Sequence, residues 1–218
     1  MTEAGARIHS VNVGAVRAVP WGGRGRGTRS AISKGAVRGD VAVGRLGLAG
    51  DEQADLRHHG GPDRALYAFA LEDLERWSGE LGGPLAPGDF GENLTTVGID
   101  PNAALVGEKW RIGTALVQVC WIRTPCFKFQ ARLGELGFAT AGWLKRFTAD
   151  LRPGPYLRVL EEGTLRAGDV IVVEERPEHT VSVSEMFRIV TTERERLPEL
   201  LAIDALPAFA REQITAVD

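Results

Sequence analysis

Apolar residues recur at alternate positions in short runs along most of the chain, the period of half-buried strands. Ile8, Val11, Val13, Val16 and Val19 predict a first strand over Ile8 to Pro20. Val37 and Val41-Ala42-Val43 predict a hairpin-like pair, and Ala65 to Phe69 a short strand. Gly107 to Gly113 reads as a strand between glycine corners. It leads into Ala115 to Trp121, whose alternation predicts a half-buried strand. Tyr156 to Leu160 and Asp169 to Val173 complete the set. The period changes in two places. Leu71, Leu74, Trp77 and Leu81 mark one face of a helix ended by Gly82-Gly83-Pro84, and Trp143, Leu144, Phe147 and Leu151 mark a second. Beyond Pro177 the texture becomes helical. Ser182 to Glu185 and Thr192 to Glu195 are capping-box patterns, and with Leu206 to Gln213 they predict three short helices.

Composition refines this picture. A chain of 218 residues, 44% hydrophobic and 25% charged, suits a folded core with a small appendage. Its 27 glycines and many short strands favour a barrel or sandwich over a helix bundle. Glycine corners are what a small closed barrel needs. The expected architecture is therefore α+β: a closed β-barrel domain over 1–177 and a three-helix appendage over 178–218 that carries no plausible ligand. A net charge of −3 argues against a broad nucleic-acid surface and leaves room for a local basic pocket. No apolar run approaches the ~20 residues a membrane span needs, and Met1 to Val11 has no signal-peptide core. Two cysteines cannot build a disulfide framework, so both read as free thiols in a reducing cytosol.

The densest chemistry lies in Arg123-Thr124-Pro125-Cys126-Phe127-Lys128. Thr124 can cap a helix and Pro125 suits its first position, which puts Cys126 in the first turn of a helix running to about Gly134. Free N–H groups, the helix dipole, Arg123 and Lys128 all favour a thiolate there, able to attack electrophiles or bind a metal. The competing reading is a small buried filler. Trp21 to Arg29 is a Gly-rich basic loop, either solvated or a flap over an anionic ligand. His58-His59 beside acids invites a zinc reading. Adjacent side chains project apart, however, and no H-E-x-x-H or C-x-x-C partner exists. Gly60-Gly61 after the histidines suits close backbone approach to a ligand. Glu92 and Asn93, in a glycine-punctuated turn, could cap local backbone or bind a ligand.

Several blocks in order resemble the MOSC family, named after the C-terminal part of molybdenum-cofactor sulfurases. They are Gly47 to Asp55, His59 to Ala65, Pro87 to Leu94, Gly107 to Gly113, Arg123-Thr124-Pro125-Cys126 and Ala167-Gly168-Asp169, across roughly residues 30 to 175. The tail resembles the appendage of the stand-alone bacterial YiiM-like branch. Ile122 departs from the family, where many relatives have a proline before the arginine. The resemblance implies a mostly β-barrel domain and a molybdenum cofactor, molybdopterin. It assigns Cys126 as the catalytic, molybdenum-ligating residue or a persulfide carrier, and Lys34, His59, Gly60, Asn93, Arg123 and Thr124 as cofactor-binding. The implied activity is an oxidoreductase acting on small N-hydroxylated substrates, with an external electron donor protein because no flavin or iron–sulfur signature is present. The alternative is a carrier of sulfur or cofactor. The family also carries a pyridoxal-phosphate-binding label; no sulfurase domain of that type stands upstream, so a sulfur donor would be external. No nucleic acid and no membrane partner is expected, and the oligomeric state is open, a homodimer being one option.

Overall fold

The computed structural model describes residues 5–20, 28–54 and 60–216. The basic loop expected over Trp21 to Arg29 lies mostly outside the described residues, as do His58 and His59.

The strands are β1 Arg7–Val13, β2 Arg17–Val19, β3 Thr28–Ser30, β4 Gly35–Val37, β5 Val41–Gly44, β6 Gly47–Leu48, β7 Leu66–Ala70, β8 Leu94–Val97, β9 Lys109–Ile112, β10 Ala115–Ile122, β11 Pro155–Glu161, β12 Gly163–Leu165 and β13 Ile171–Glu175. The α-helices are α1 Leu71–Leu81, α2 Phe127–Glu135, α3 Trp143–Asp150, α4 Val183–Thr191 and α5 Ala208–Thr215. Pro62–Arg64 and Arg194–Ala202 are 3-10 helices. An eight-stranded sheet runs β13-β9-β10-β11-β7-β8-β1-β4, beside a three-stranded sheet β12-β5-β6 and the pair β2-β3. All pairings are antiparallel except β7 with β8.

Three expectations are corrected. First, no sheet among the described residues closes into a barrel: β13 and β4 stand at the edges of an open sheet. The reason lies in β1. Its second half, Val11–Val13, is taken by β4, and its start meets the far edge through an isolated Arg7–Val170 bridge in place of a ladder. Second, the long strand expected from Ile8 to Pro20 breaks at Gly14. A Cβ there would stand 2.5 Å from the Ser33 carbonyl oxygen, so the close crossing of chains requires glycine. Third, β4 and β5 form no hairpin with each other; β4 joins β1, and β5 joins β12 and β6.

β10 is buried almost throughout, with Gln118 half-buried, because it is an interior strand. Its alternation therefore fades into a near-continuous apolar run. An aromatic cluster of Trp77, Phe90, Phe129, Trp143 and Phe147 joins α1, α2, α3 and the turn before β8. Phe129 meets Phe90, Trp143 and Phe147 edge-on at 4.8, 5.2 and 5.1 Å. Phe187 of α4 abuts Phe147 at 6.3 Å, so the apolar core is continuous with the C-terminal helices. Ser182 caps α4, its hydroxyl accepting from the Glu185 N–H at 3.1 Å. The second capping box does not form. The Thr192 hydroxyl donates back to the Arg188 carbonyl at 2.9 Å, and the chain enters the 3-10 helix from Glu193 uncapped by a side chain.

Candidate functional site

The strand β10 delivers Arg123 and Cys126 to one wall of a cleft enclosing about 630 Å³, mouth included. The pairing of Ile122 with Pro155 and the bond from the Arg123 N–H to the Gly154 carbonyl at 3.2 Å keep the backbone extended past the end of β10. Pro125 then disfavours helix at Thr124. The helix expected from Thr124 consequently starts at Phe127, and Cys126 itself is the N-cap, extended at φ −142° and ψ 166°. Its carbonyl accepts from the Phe129 and Gln130 N–H groups at 3.1 and 3.2 Å. Its thiol caps no backbone group, so the sulfur is left to face the cleft, half-buried.

Arg123 is 6% exposed. One guanidinium nitrogen donates to the Tyr156 hydroxyl at 3.0 Å, and another lies 3.8 Å from the Cys126 sulfur. The same guanidinium sits over the rings of Phe129 and Tyr67 at 5.6 and 5.9 Å. A positive charge therefore stands against the Cys126 sulfur. Cys120 has the opposite setting. Fully buried, it donates to the Asp63 carbonyl at 3.2 Å, and burial pushes its pKa up to about 12. That is a structural thiol.

Lys34 reaches the cleft wall already engaged: its ammonium is bound to Asp51 Oδ1. Burial lowers its pKa, with Asp51 pulling the other way. Asp51 also accepts from the Gly14 N–H at 2.8 Å and from Asn93 Nδ2 at 2.9 Å. Asn93 is a rivet as well as a wall residue. Its Oδ1 accepts from the Tyr67 N–H at 3.2 Å and its Nδ2 donates to the Asn12 carbonyl at 3.3 Å. Glu92 points into the protein, accepting from the Gly88 N–H at 2.6 Å, the Thr95 hydroxyl at 2.9 Å and the Phe90 N–H at 3.2 Å. Burial raises its pKa to about 7 against those donors.

Of the residues singled out in the sequence, the structure thus brings Lys34, Asn93, Arg123 and Cys126 together. Thr124 and Gly60 stand outside the wall formed by the described residues. Gly60 instead packs on Gln53, where a Cβ would come within 2.5 Å of Oε1. His59 lies outside the described residues. Sequence reasoning missed Tyr67, Tyr156 and Arg64 as wall residues. The tyrosines lie in apolar strand runs and carry no local signal; they meet because Tyr156 is paired with Tyr67 across β11 and β7. Arg64 does stand in a glycine-led block, and that block was its signal. Among the described residues no three His, Cys, Asp or Glu side chains cluster as metal ligands. Nor is any helix among them long and apolar enough to cross a membrane.

Comparison with known proteins adds an independent finding. A profile of the MOSC domain matches residues 55–172. The protein YflK of Bacillus subtilis is 33% identical over 182 residues, covering 84% of this chain and 79% of its own. A protein of Gibberella moniliformis named a reductase is 32% identical over 184 residues, which is 82% of this chain but 31% of that longer protein. The crystal structure of YiiM from Geobacillus stearothermophilus superposes with a TM-score of 0.79 at 29% identity, over 97% of this chain and 98% of that one. With a profile spanning more than half its length and a relative of this identity along most of it, the chain belongs to the MOSC domain family.

Proposed function

We propose that this chain is an oxidoreductase that holds a molybdenum cofactor in the cleft and reduces N-hydroxylated bases or related N–O compounds. The observation that carries the reading is the pairing of the Cys126 sulfur with the buried Arg123 guanidinium at 3.8 Å on the wall of the cleft. The donor set fits such a group. A thiolate is a soft ligand suited to a transition metal. Among the described residues Cys126 has no cluster of further ligands, so a metal bound there would bring its own, as a dithiolene-bearing pterin does. The phosphate of the cofactor needs buried positive charge, and Arg123 offers a fork of donors held by Tyr156.

Bound there, the group would supply a two-electron redox centre. The residues of the chain would do the rest: Cys126 would ligate the metal, Arg123 would anchor an anionic oxygen, and the rings of Tyr67 and Phe129 with the Tyr156 hydroxyl hold the guanidinium in place. Cleaving an N–O bond this way takes up two electrons and two protons and releases water. The electrons come from an external donor protein. A relative named a reductase supports the class of reaction.

The test is expression of the full chain in a host that makes the cofactor, followed by metal analysis and pterin extraction of wild type, Cys126→Ser and Cys120→Ser. Molybdenum lost in Cys126→Ser and kept in Cys120→Ser is the expected result. Equal content in all three overturns the ligand assignment. Loaded protein that fails to reduce an N-hydroxylated base with a chemical reductant would make the chain a cofactor carrier instead.

A further inference from the structure

The cleft wall carries both tyrosines of the chain, Tyr67 and Tyr156. They are paired across β7 and β11, their ring centroids 5.5 Å apart. Their hydroxyls are committed differently. That of Tyr67 donates to the Pro153 carbonyl at 2.7 Å, so its proton is held by backbone. That of Tyr156 accepts from the Arg123 guanidinium at 3.0 Å, which leaves its own proton to be placed. The Arg123 contact is the one hydrogen bond this hydroxyl makes among the described residues. Tyr156 is 8% exposed, and a buried O–H without an acceptor costs free energy that an oxygen- or nitrogen-bearing ligand would recover.

Position gives that proton a use. The second guanidinium nitrogen lies 3.8 Å from the Cys126 sulfur, so phenol and thiol sit on two nitrogens of one guanidinium. A molecule that enters beside the sulfur enters beside the phenol. Linked hydrogen bonds polarise one another, so the N–H that Tyr156 accepts strengthens its O–H as a donor. Negative charge left on the oxygen once its proton departs falls against a cation already in place, with no reorganisation. Lys34 and Gln53, on the same wall, are spent internally. Lys34 is bound to Asp51, and Gln53 donates to the Leu46 carbonyl and accepts from the Gly61 N–H.

We infer that Tyr156 is a catalytic residue of the cleft, the acid that protonates the departing oxygen when an N–O bond is reduced. The inference rests on the reading that an N-hydroxylated compound is reduced here. The N–O bond breaks as two electrons from the external donor protein pass through the bound centre to the substrate. The phenol O–H bond breaks with it, and its proton joins the departing oxygen, which leaves as water. The nitrogen takes a second proton from solvent and becomes the amine. The phenolate, held against Arg123, regains its proton from solvent, so each turnover consumes two electrons and two protons.

The experiment compares wild type with Tyr156→Phe as full chains of equal molybdenum content, using N-hydroxycytosine and its O-acetyl ester. Acetate leaves without a proton, so the ester has no need of the acid. With a chemical reductant, Tyr156→Phe should lose about 100- to 10,000-fold in kcat on N-hydroxycytosine, the span of general acid catalysis, and stay near wild type on the ester. A second measurement uses oxidised protein without reductant, so that N-hydroxycytosine binds and does not turn over. Wild type should show a tyrosine difference band on binding. Tyr156→Phe should lack the band and bind about two- to tenfold more weakly, the worth of one hydrogen bond. Equal rates in variant and wild type, equal slowing on both compounds, or no tyrosine band in wild type each overturns the inference. The wild-type band decides alone should Tyr156→Phe lose its fold or its metal. Failure of the inference leaves wild type reducing both compounds, whereas loaded wild type that reduces neither overturns the functional reading itself.

Discussion

The Lys34–Asp51 pair makes an unequal prediction. Both side chains are nearly sealed, 7% and 5% exposed. Lys34 draws on Asp51, whereas Asp51 has two further donors, the Gly14 N–H and Asn93 Nδ2. Asp51→Asn leaves a buried ammonium without its counter-charge and sets an amide N–H₂ against one of the donors it used to satisfy. Breaking a buried pair from that side costs about 3–5 kcal/mol. Lys34→Met removes the charge that burial penalises, keeps an apolar stem of similar length, and leaves Asp51 two donors. It should cost about 1–2 kcal/mol. Urea denaturation at pH 7 followed by circular dichroism measures both. The double variant should be more stable than Asp51→Asn alone, since no ammonium remains. The pH dependence follows in sign. The folded pKa of Lys34 is lowered, so the penalty on its charged form is present at neutral pH and is relieved as pH rises through that pKa. The deficit of Asp51→Asn should therefore shrink at alkaline pH. A Lys34→Met variant as unstable as Asp51→Asn, with additive effects in the pair, would refute the reasoning.

Other consequences are equally direct. Arg123→Ala should lose about 1.5–3 kcal/mol of cofactor affinity, read as molybdenum content of the folded fraction. Because Arg123 is 6% exposed, it should also cost about 2–4 kcal/mol of stability by urea titration. Glu92 has its pKa raised from 4.5 to about 7, so the stability its proton contributes is full below pH 4.5 and lost as pH rises through 7, at most about 3 kcal/mol. Glu92→Gln should flatten the fall in melting temperature between pH 5 and 8. Gly154 has φ +71° and a Cβ there would stand 2.3 Å from the Ala68 carbonyl oxygen. Gly154→Ala should destabilise by roughly 3 kcal/mol or more and loosen the backbone bond that holds Arg123 extended.

Local pattern carried the helices further than the sheets. The apolar stripe Leu71, Leu74, Trp77 and Leu81, with Gly82 beyond it, predicts a helix that the structure places at Leu71–Leu81, capped by Gly82 at φ +75°. Every contact behind that expectation lies within a turn or two. Strand partners are a different matter. Val37 and Val41 to Val43 are close in sequence and suggest a hairpin, but the short strands find better partners in β1 and β12. Glycine corners suggest closure, yet closure depends on which edge β1 presents and what already occupies it. No short-range pattern encodes that competition.

The site divides along the same line. Arg123 and Cys126 are three residues apart, so their meeting is written in one short stretch, even though strand pairing shifts the helix start past Thr124. Tyr156 beside Tyr67, and Phe209 beneath Arg64, exist through sheet register and tail docking. Charge is the most instructive case. Read as residue types, Lys34 and Arg123 are two cations awaiting one phosphate. In the fold Lys34 is neutralised by Asp51 inside the wall. Such a pair rarely adds net stability, since desolvating both charges consumes most of their attraction. What it adds is geometry: Asp51 gathers Gly14 at the break after β1, Lys34 before β4 and Asn93 before β8 onto one carboxylate. The carboxylate thereby pins, at the cleft, the ends of three strands that already pair side by side. Arg123, by contrast, is braced by the Tyr156 hydroxyl and by the rings of Tyr67 and Phe129.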